Sequence, residues 1–346
     1  MEKRMVGVYT DLFDPVHSGH LNAVLSAMES SGMTLVRMVL SSETAEADDE
    51  DRWRMLVAAC ADFRKLIPFR LSSSHPDIAG EIRPEDFLRK EYPDDVLVRI
   101  AGNTLPLSVT GIQSAEVRIG TRNVDLISGS VPLPVYEYIS ASGLYGVPCR
   151  VPESRQWLPV LFSALKPHRF AHSLSVAATA RVLAERFGED PDKAEKAGLL
   201  HDCAKIIPMD EMRRIVTESG MDVDERMLTA DSLLHSAAGA CLARTDYGVT
   251  DPDIVDAIAS HNTGRPGMSR LSMCVCLADS IEPGRPDYPH LDDIRALSEK
   301  SLEEALLLSL EGVRKQVISN GWYLHPRTRD TVEWLRTVAD GKFPEK

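Results

Sequence analysis

Short apolar runs alternate with longer amphipathic stretches over about the first 145 residues, which suggests an α/β layer fold. RMVGVYT at 4–10 reads as a strand, and HLNAVLSAMESSG at 20–32 as a helix ended by Gly32. LVRMVLSS at 35–42 predicts a second strand, DEDRWRMLVAACADF at 49–63 a second helix and DVLVRIAG at 95–102 another strand. PLPVYEYISASGLYG at 132–146 closes the region with a short helix. The pattern changes near VPCRVPESRQW at 147–157, where prolines and mixed polar residues suit a linker. From there to about residue 338 the chain reads as helices. Asp190-Pro191 and Asp251-Pro252 each pair an N-cap with proline at the first helical position. Gly188, Gly248 and Gly264 fall where helices should end, and no internal repeat is visible. The acidic SSETAEADDEDR at 41–52 reads as a solvated loop or helix start.

A length of 346 residues fits two domains, and 43% hydrophobic residues suffice for real cores. The net charge of −13 argues against broad nucleic-acid binding, which needs clustered Lys and Arg, but leaves nucleotide ligands open. No run of 18 apolar residues predicts a membrane span, and the N-terminus reads as a first strand rather than a signal peptide. Six scattered cysteines without a CxxC pair suggest a reducing cytoplasm.

The candidate chemistry of the second half begins with AGLLHDCAKII at 197–207, where a His-Asp pair sits in an apolar, helix-favouring run. Such groups are rarely buried without a partner. His172 shares a helical face with Val176, Thr179, Leu183 and Phe187. His235 opens HSAAGACLARTDYG, His261 follows Ile254 and Ile258 on one face, and Asp279 follows Val275 by four residues. Spacings of 29, 33, 26 and 18 residues from His172 through His201-Asp202, His235 and His261 to Asp279 are each about one helix plus a turn. Inward positions on successive helices can converge on one point in a bundle. Any one such histidine is usually a hydrogen-bonded core residue, whereas four histidines and two aspartates in order point to a site. Imidazoles and carboxylates together suit Fe, Mn, Zn or similar divalent ions, and six exceed what one closed tetrahedral site needs.

The order H…HD…H…H…D resembles the HD-domain metal-dependent phosphohydrolases. The words RFAHSLSVAATARVLAERFG, KAGLLHDCAK, LLHSAAGACLARTDYGVTD, AIASHNTGRPGMSRLS, LADSIEPGR and GWYLHPRT resemble the YqeK-type HD hydrolases over about residues 164–335. That resemblance implies symmetrical cleavage of diadenosine tetraphosphate (Ap4A) into two ADP. It implies a centre of two divalent ions, iron first, with Mn, Mg or Zn as alternatives. The implied metal ligands are His172, His201, Asp202, His235, His261 and Asp279, with Asp202 bridging two ions that lower the pKa of water. Asp202, Lys205 and Arg265 are the expected catalytic set, and Lys205, Arg265 and Arg285 the expected grip on the polyphosphate. Lys205 lies three residues after Asp202 on the expected helical face, Arg265 four after His261 and Arg285 six after Asp279. A surface salt bridge is the plain alternative for each cation. His325 is expected to support the ligands from behind or to be structural, and His168 and Arg169 to lie near the site or cap a helix. Guanosine-based alarmones and deoxynucleotides are the rival substrates.

In the first half, DLFDPVHSGHLNAVLSAM at 11–28 runs from strand to helix, a junction where helix N-terminal amides bind phosphate. FDPVHSGH resembles the FDPxHxGH motif of the nucleotidyltransferase superfamily. RWRMLVAACADF, VRIAGN, IQSAEVR and VPLPVYEYISASGLYG resemble bacterial nicotinate-nucleotide adenylyltransferases. The resemblance implies a Rossmann-like parallel sheet, with His17, His20 and Arg118 contacting phosphates and ATP and nicotinate mononucleotide (NaMN) as substrates. Thr10 and Asp11 stand where paired glycines are expected, so Asp11 would put a negative charge beside the triphosphate. The segment between AGN and IQSAEVR is also short. Three uses follow: a nucleotide-binding remnant, retained transfer in a bifunctional enzyme, or a non-catalytic sensing, docking or dimerisation module. The expected division is 1–147 nucleotidyltransferase-like, 148–163 linker and 164–338 all-α HD domain.

Overall fold

The structure is a computed structural model that describes residues 4–41, 45–70, 84–100 and 131–339. It divides into two units, with the boundary between Cys149 and Arg150.

The first unit carries a parallel sheet of order β3-β2-β1-β4, formed by β1 (Met5–Asp11), β2 (Leu35–Leu40), β3 (Leu66–Arg70) and β4 (Val96–Arg99). β1 pairs with both neighbours, Val6 opposite Leu35 on one side and Leu97 on the other. Its central residues are buried, as both-face burial of a parallel strand requires. The helices are α1 (Ser18–Ser31), α2 (Asp49–Cys60), α3 (Pro84–Glu91) and α4 (Leu133–Ser142). Gly32 takes the left-handed conformation that ends α1 at the expected place. The Asp48 side chain caps α2. β3 and α3 were not anticipated from the sequence. IQSAEVR, Arg118 and the end of VRIAGN lie outside the described residues.

The second unit is helical: α5 (Ser154–Ala164), α6 (Pro167–Phe187), α7 (Pro191–Leu200), α8 (Met209–Ser219), α9 (Asp231–Thr245), α10 (Pro252–Ser260), α11 (Arg270–Ile281), α12 (Leu291–Ser298), α13 (Leu302–Ser319) and α14 (Pro326–Ala339). The stretch expected as a linker therefore contains α5, whose Trp157, Leu158 and Leu161 are buried despite the internal Pro159. α11 packs against α6, α7, α10 and α13, and α9 against α8 and α10, so the core lies around α11. Capping sets the helix starts: Asp190 accepts from Asp192 and Lys193 amides, Asp251 from Asp253, and Ser269 from Ser272. α6 and α7 approach closely at Gly198, where a Cβ would lie 2.8 Å from the Ala177 Cα. Among the described residues, no helix is long and apolar enough to cross a membrane. All six cysteines are free thiols.

Candidate functional site

The His-Asp pair lies just beyond α7 rather than inside a helix. The last carbonyls of a helix have no intrahelical donor. His201, at the C-cap of α7, places Nδ1 2.7 Å from the Gly198 carbonyl. His261, at the C-cap of α10, repeats the arrangement with the Ile258 carbonyl at 2.7 Å. A carbonyl only accepts, so Nδ1 carries the proton and Nε2 presents its lone pair to the interior. His235, in the first turns of α9, has Nδ1 3.3 Å from the Asp231 carbonyl and turns Nε2 the same way.

These imidazoles meet two carboxylates. His172 on α6 lies 3.0 Å from Asp279 through Nε2 and 3.0 Å from Glu282 through Nδ1. Asp202 reaches His235 Nε2 at 3.3 Å, His261 Nε2 at 3.8 Å and His201 Nε2 at 3.6 Å. Asp279 lies 3.8 Å from His201 Nε2. Three overlapping groups could each hold a divalent ion: His172-His201-Asp202, His201-His261-Asp279 and Asp202-His235-His261, each with ligand atoms within 4.8 Å of one another. All six residues singled out from the sequence are in these groups, and Asp202 is shared by two of them.

The donor set fits a cation. His201 Nε2 is buried with no hydrogen-bond partner, between two carboxylates. His235 and His261 bring their Nε2 atoms within 3.2 Å. Two nitrogens this close in a dry interior need a proton or a cation beside them; Lys205 Nζ, 3.0 Å from His235 Nε2, is one, and a metal ion would be another. Burial, reinforced by His201 and His235, pushes His261 down to about 3, so it stays neutral and able to ligate. Burial opposes ionisation of Asp202, but His201, His235 and Lys205 hold it well below the usual carboxylate range. Burial lowers His172, yet hydrogen bonds to Asp279 and Glu282 raise it to about 9.

Cations ring the cluster. Arg169 donates to Asp202 at 2.9 Å. Lys205, in the turns after α7 rather than on a helix, lies 3.6 Å from Asp202 and 3.0 Å from His235 Nε2. Arg285 binds both the carboxylate and the backbone carbonyl of Asp279. Arg265, by contrast, is spent on Asp256 in a bidentate pair of 2.8 and 3.0 Å. That partner lies on α10, a pairing that the sequence position of Arg265 did not reveal. His325 pairs with Asp224 at 2.8 Å.

Glu282 was missed. It is 2% exposed and bonds His172 on one oxygen and the Gly284 amide on the other. Its place three residues after Asp279, on the same helical face, was the available signal.

In the first unit, His17 N-caps α1 and its amide donates to His20 Nδ1 at 3.0 Å. His20 therefore carries its proton on Nε2, 3.4 Å from Asp11 Oδ2. The two imidazoles stack with centroids 3.6 Å apart. Asp14 accepts from the Glu46 and Ala47 amides and from the Tyr145 hydroxyl, tying the loops around the motif.

Comparison with known proteins agrees with both halves. The HD domain family model matches residues 169–284, and the cytidylyltransferase-like family model matches 8–162. The symmetrical bis(5'-nucleosyl)-tetraphosphatase of Bacillus subtilis is 40% identical over 172 residues, 49% of this chain and 91% of that protein. A probable nicotinate-nucleotide adenylyltransferase/Ap4A hydrolase of Mycoplasma genitalium is 31% identical over 192 residues, 54% of this chain and 51% of that protein. A solved HD superfamily hydrolase from Clostridium acetobutylicum, described as involved in NAD metabolism, is 38% identical with a TM-score of 0.51. It covers 53% of this chain and 96% of its own.

Proposed function

The chain belongs to the HD-superfamily symmetrical bis(5'-nucleosyl)-tetraphosphatases, and from that membership we propose that its helical unit holds two divalent ions, iron first, and cleaves Ap4A into two ADP. The observation that carries this reading is the buried, unpartnered Nε2 of His201 between Asp202 and Asp279. Nitrogen and carboxylate donors suit iron, with manganese, magnesium or zinc as alternatives. Divalent ions bound there supply Lewis-acid polarisation of phosphate oxygens and a lowered pKa for water.

The chain's own residues supply the rest. Asp202, shared by two of the ligand groups, is the carboxylate suited to bridging. Water adds to one inner phosphorus as the anhydride bond to the other inner phosphorus breaks, leaving ADP on each side. Arg169, Lys205 and Arg285 oppose the charge of the tetraphosphate and are already fixed by their carboxylates, so little reorganisation is needed. The six free thiols support a reducing, cytoplasmic setting.

The test is metal analysis of the purified protein followed by chromatography of a dinucleoside polyphosphate panel, with Asp202→Ala as control. ADP as sole product from Ap4A is expected. AMP plus ATP, or no product from the metal-loaded protein, overturns the reading.

For the first unit, the Asp11 carboxylate against His20 favours a nucleotide-sensing or docking role over retained transfer, because it occupies the donor a phosphate would need. Pyrophosphate release from ATP plus NaMN is expected to be absent. Release that His20→Ala abolishes would establish a bifunctional enzyme instead.

A further inference from the structure

We propose that a cavity between α11 and α13 seats one nucleoside half of the substrate, its base lying against the backbone of α13 at Gly312; this rests on the dinucleoside polyphosphate reading above. The cavity measures about 660 Å³, within the size of small-molecule sites. One end is formed by His261 and Asp279, so it opens directly off the cluster. Arg285 lines that end, where the phosphates would run.

The far wall is one stripe of α13: Ser309, Gly312, Val313, Gln316 and Ser319 follow helical spacing. Gly312 is the anomaly. Glycine inside a helix is a destabilising choice beside alanine. Close packing can require it, as at Gly198, where a Cβ would meet backbone at 2.8 Å. A Cβ on Gly312 meets no atom within 4 Å. The fold thus gives no reason for the missing side chain, and the space it leaves is part of the cavity. A flat ligand against the helix supplies the reason.

Two further observations point the same way. Ser309 is 2% exposed and lines the same wall. Its hydroxyl interacts with the Tyr288 phenol and helps to hold that ring in place. Tyr288 also lines the cavity, and its hydroxyl is fixed to the Ser280 carbonyl at 2.9 Å, which holds the ring as a rigid wall suited to stacking a base.

The test compares Gly312→Ala and Gly312→Leu with the wild-type metalloprotein by calorimetric titration with ADP, KM for Ap4A, melting temperature and metal content. Both variants should melt no lower than wild type and retain their metal. ADP binding should weaken by about tenfold or more in Gly312→Leu and less in Gly312→Ala, with a parallel rise in KM. ADP affinity within about twofold of wild type in both variants overturns the proposal, as does a loss that tracks loss of metal. If wild type makes no ADP from Ap4A, the hydrolase reading fails, while the ADP titrations still decide whether Gly312 faces a nucleotide.

Discussion

Glu282 shows what a single buried carboxylate does for a neighbouring histidine. By accepting from His172 Nδ1 it fixes which nitrogen faces the cluster. Glu282→Gln keeps the size but offers an amide that can rotate its NH2 toward the imidazole. Metal affinity or hydrolysis should fall by about 10- to 100-fold, with the melting temperature of the chelated protein little changed. Metal titration of the two proteins checks this, and equal affinities would remove Glu282 from the site. His17 supplies a second test at this scale. Burial, aided by His20, lowers it to about 4 in the folded unit, against about 6.5 in an unfolded chain. Its contribution to stability is therefore complete above about pH 6.5 and is lost as the pH falls from there toward 4, because the unfolded chain takes up the proton first. Urea midpoints at pH 7.5 and 5 should diverge more for wild type than for His17→Gln.

Between elements, the decisive contact is α6 against α7. Gly198 is where the backbones come closest, and its carbonyl also receives His201 Nδ1. A Cβ there presses on the Ala177 backbone, which cannot swing aside as a side-chain end could. Gly198→Ala should cost about 1–3 kcal/mol and push α7 outward, carrying His201 and Asp202 off their partners. Lower metal content together with a lower urea midpoint is expected. Wild-type values for both would show that the helices part without disturbing the cluster. Two of the elements that sequence pattern left hidden, β3 and α5, share one cause. Pro68 lies in β3 and Pro159 in α5, and a proline reads as a break because it lacks a donor. β3 tolerates it as an edge strand of the described sheet, and α5 through its buried apolar face.

At the scale of the whole molecule, two units and one convergent cluster were legible for physical reasons. Asp190-Pro191, Asp251-Pro252 and Gly188 fix where helices start and stop, and hence which residues sit at their ends. His201 and His261 sit at those ends and pin Nδ1 on free carbonyls, and spacing together with the family resemblance singled out the six candidates. The cations were readable only in part: Lys205 and Arg285 lie at the cluster, whereas for Arg169 and Arg265 only their carboxylates, Asp202 and Asp256, tell the two apart. The same convergence ties stability to metal. His172 comes from α6, His201 and Asp202 from the end of α7, His235 from α9, His261 from α10 and Asp279 from α11, so one cluster fastens five helices. An unfolded chain presents no such constellation, and ions that bind only the folded form add stability by mass action, about 2.7 kcal/mol per site at a hundredfold excess over Kd. Removing both ions with a chelator should therefore lower the melting temperature of the helical unit by about 10–20 °C at that excess, about 5–10 °C for each ion. Adding the ion back should restore it, with the midpoint rising as the logarithm of its concentration. Asp202→Ala should be much less sensitive to the chelator. A wild-type melting curve unmoved by chelation and by added iron, manganese or zinc would mean that these six side chains meet without a cation.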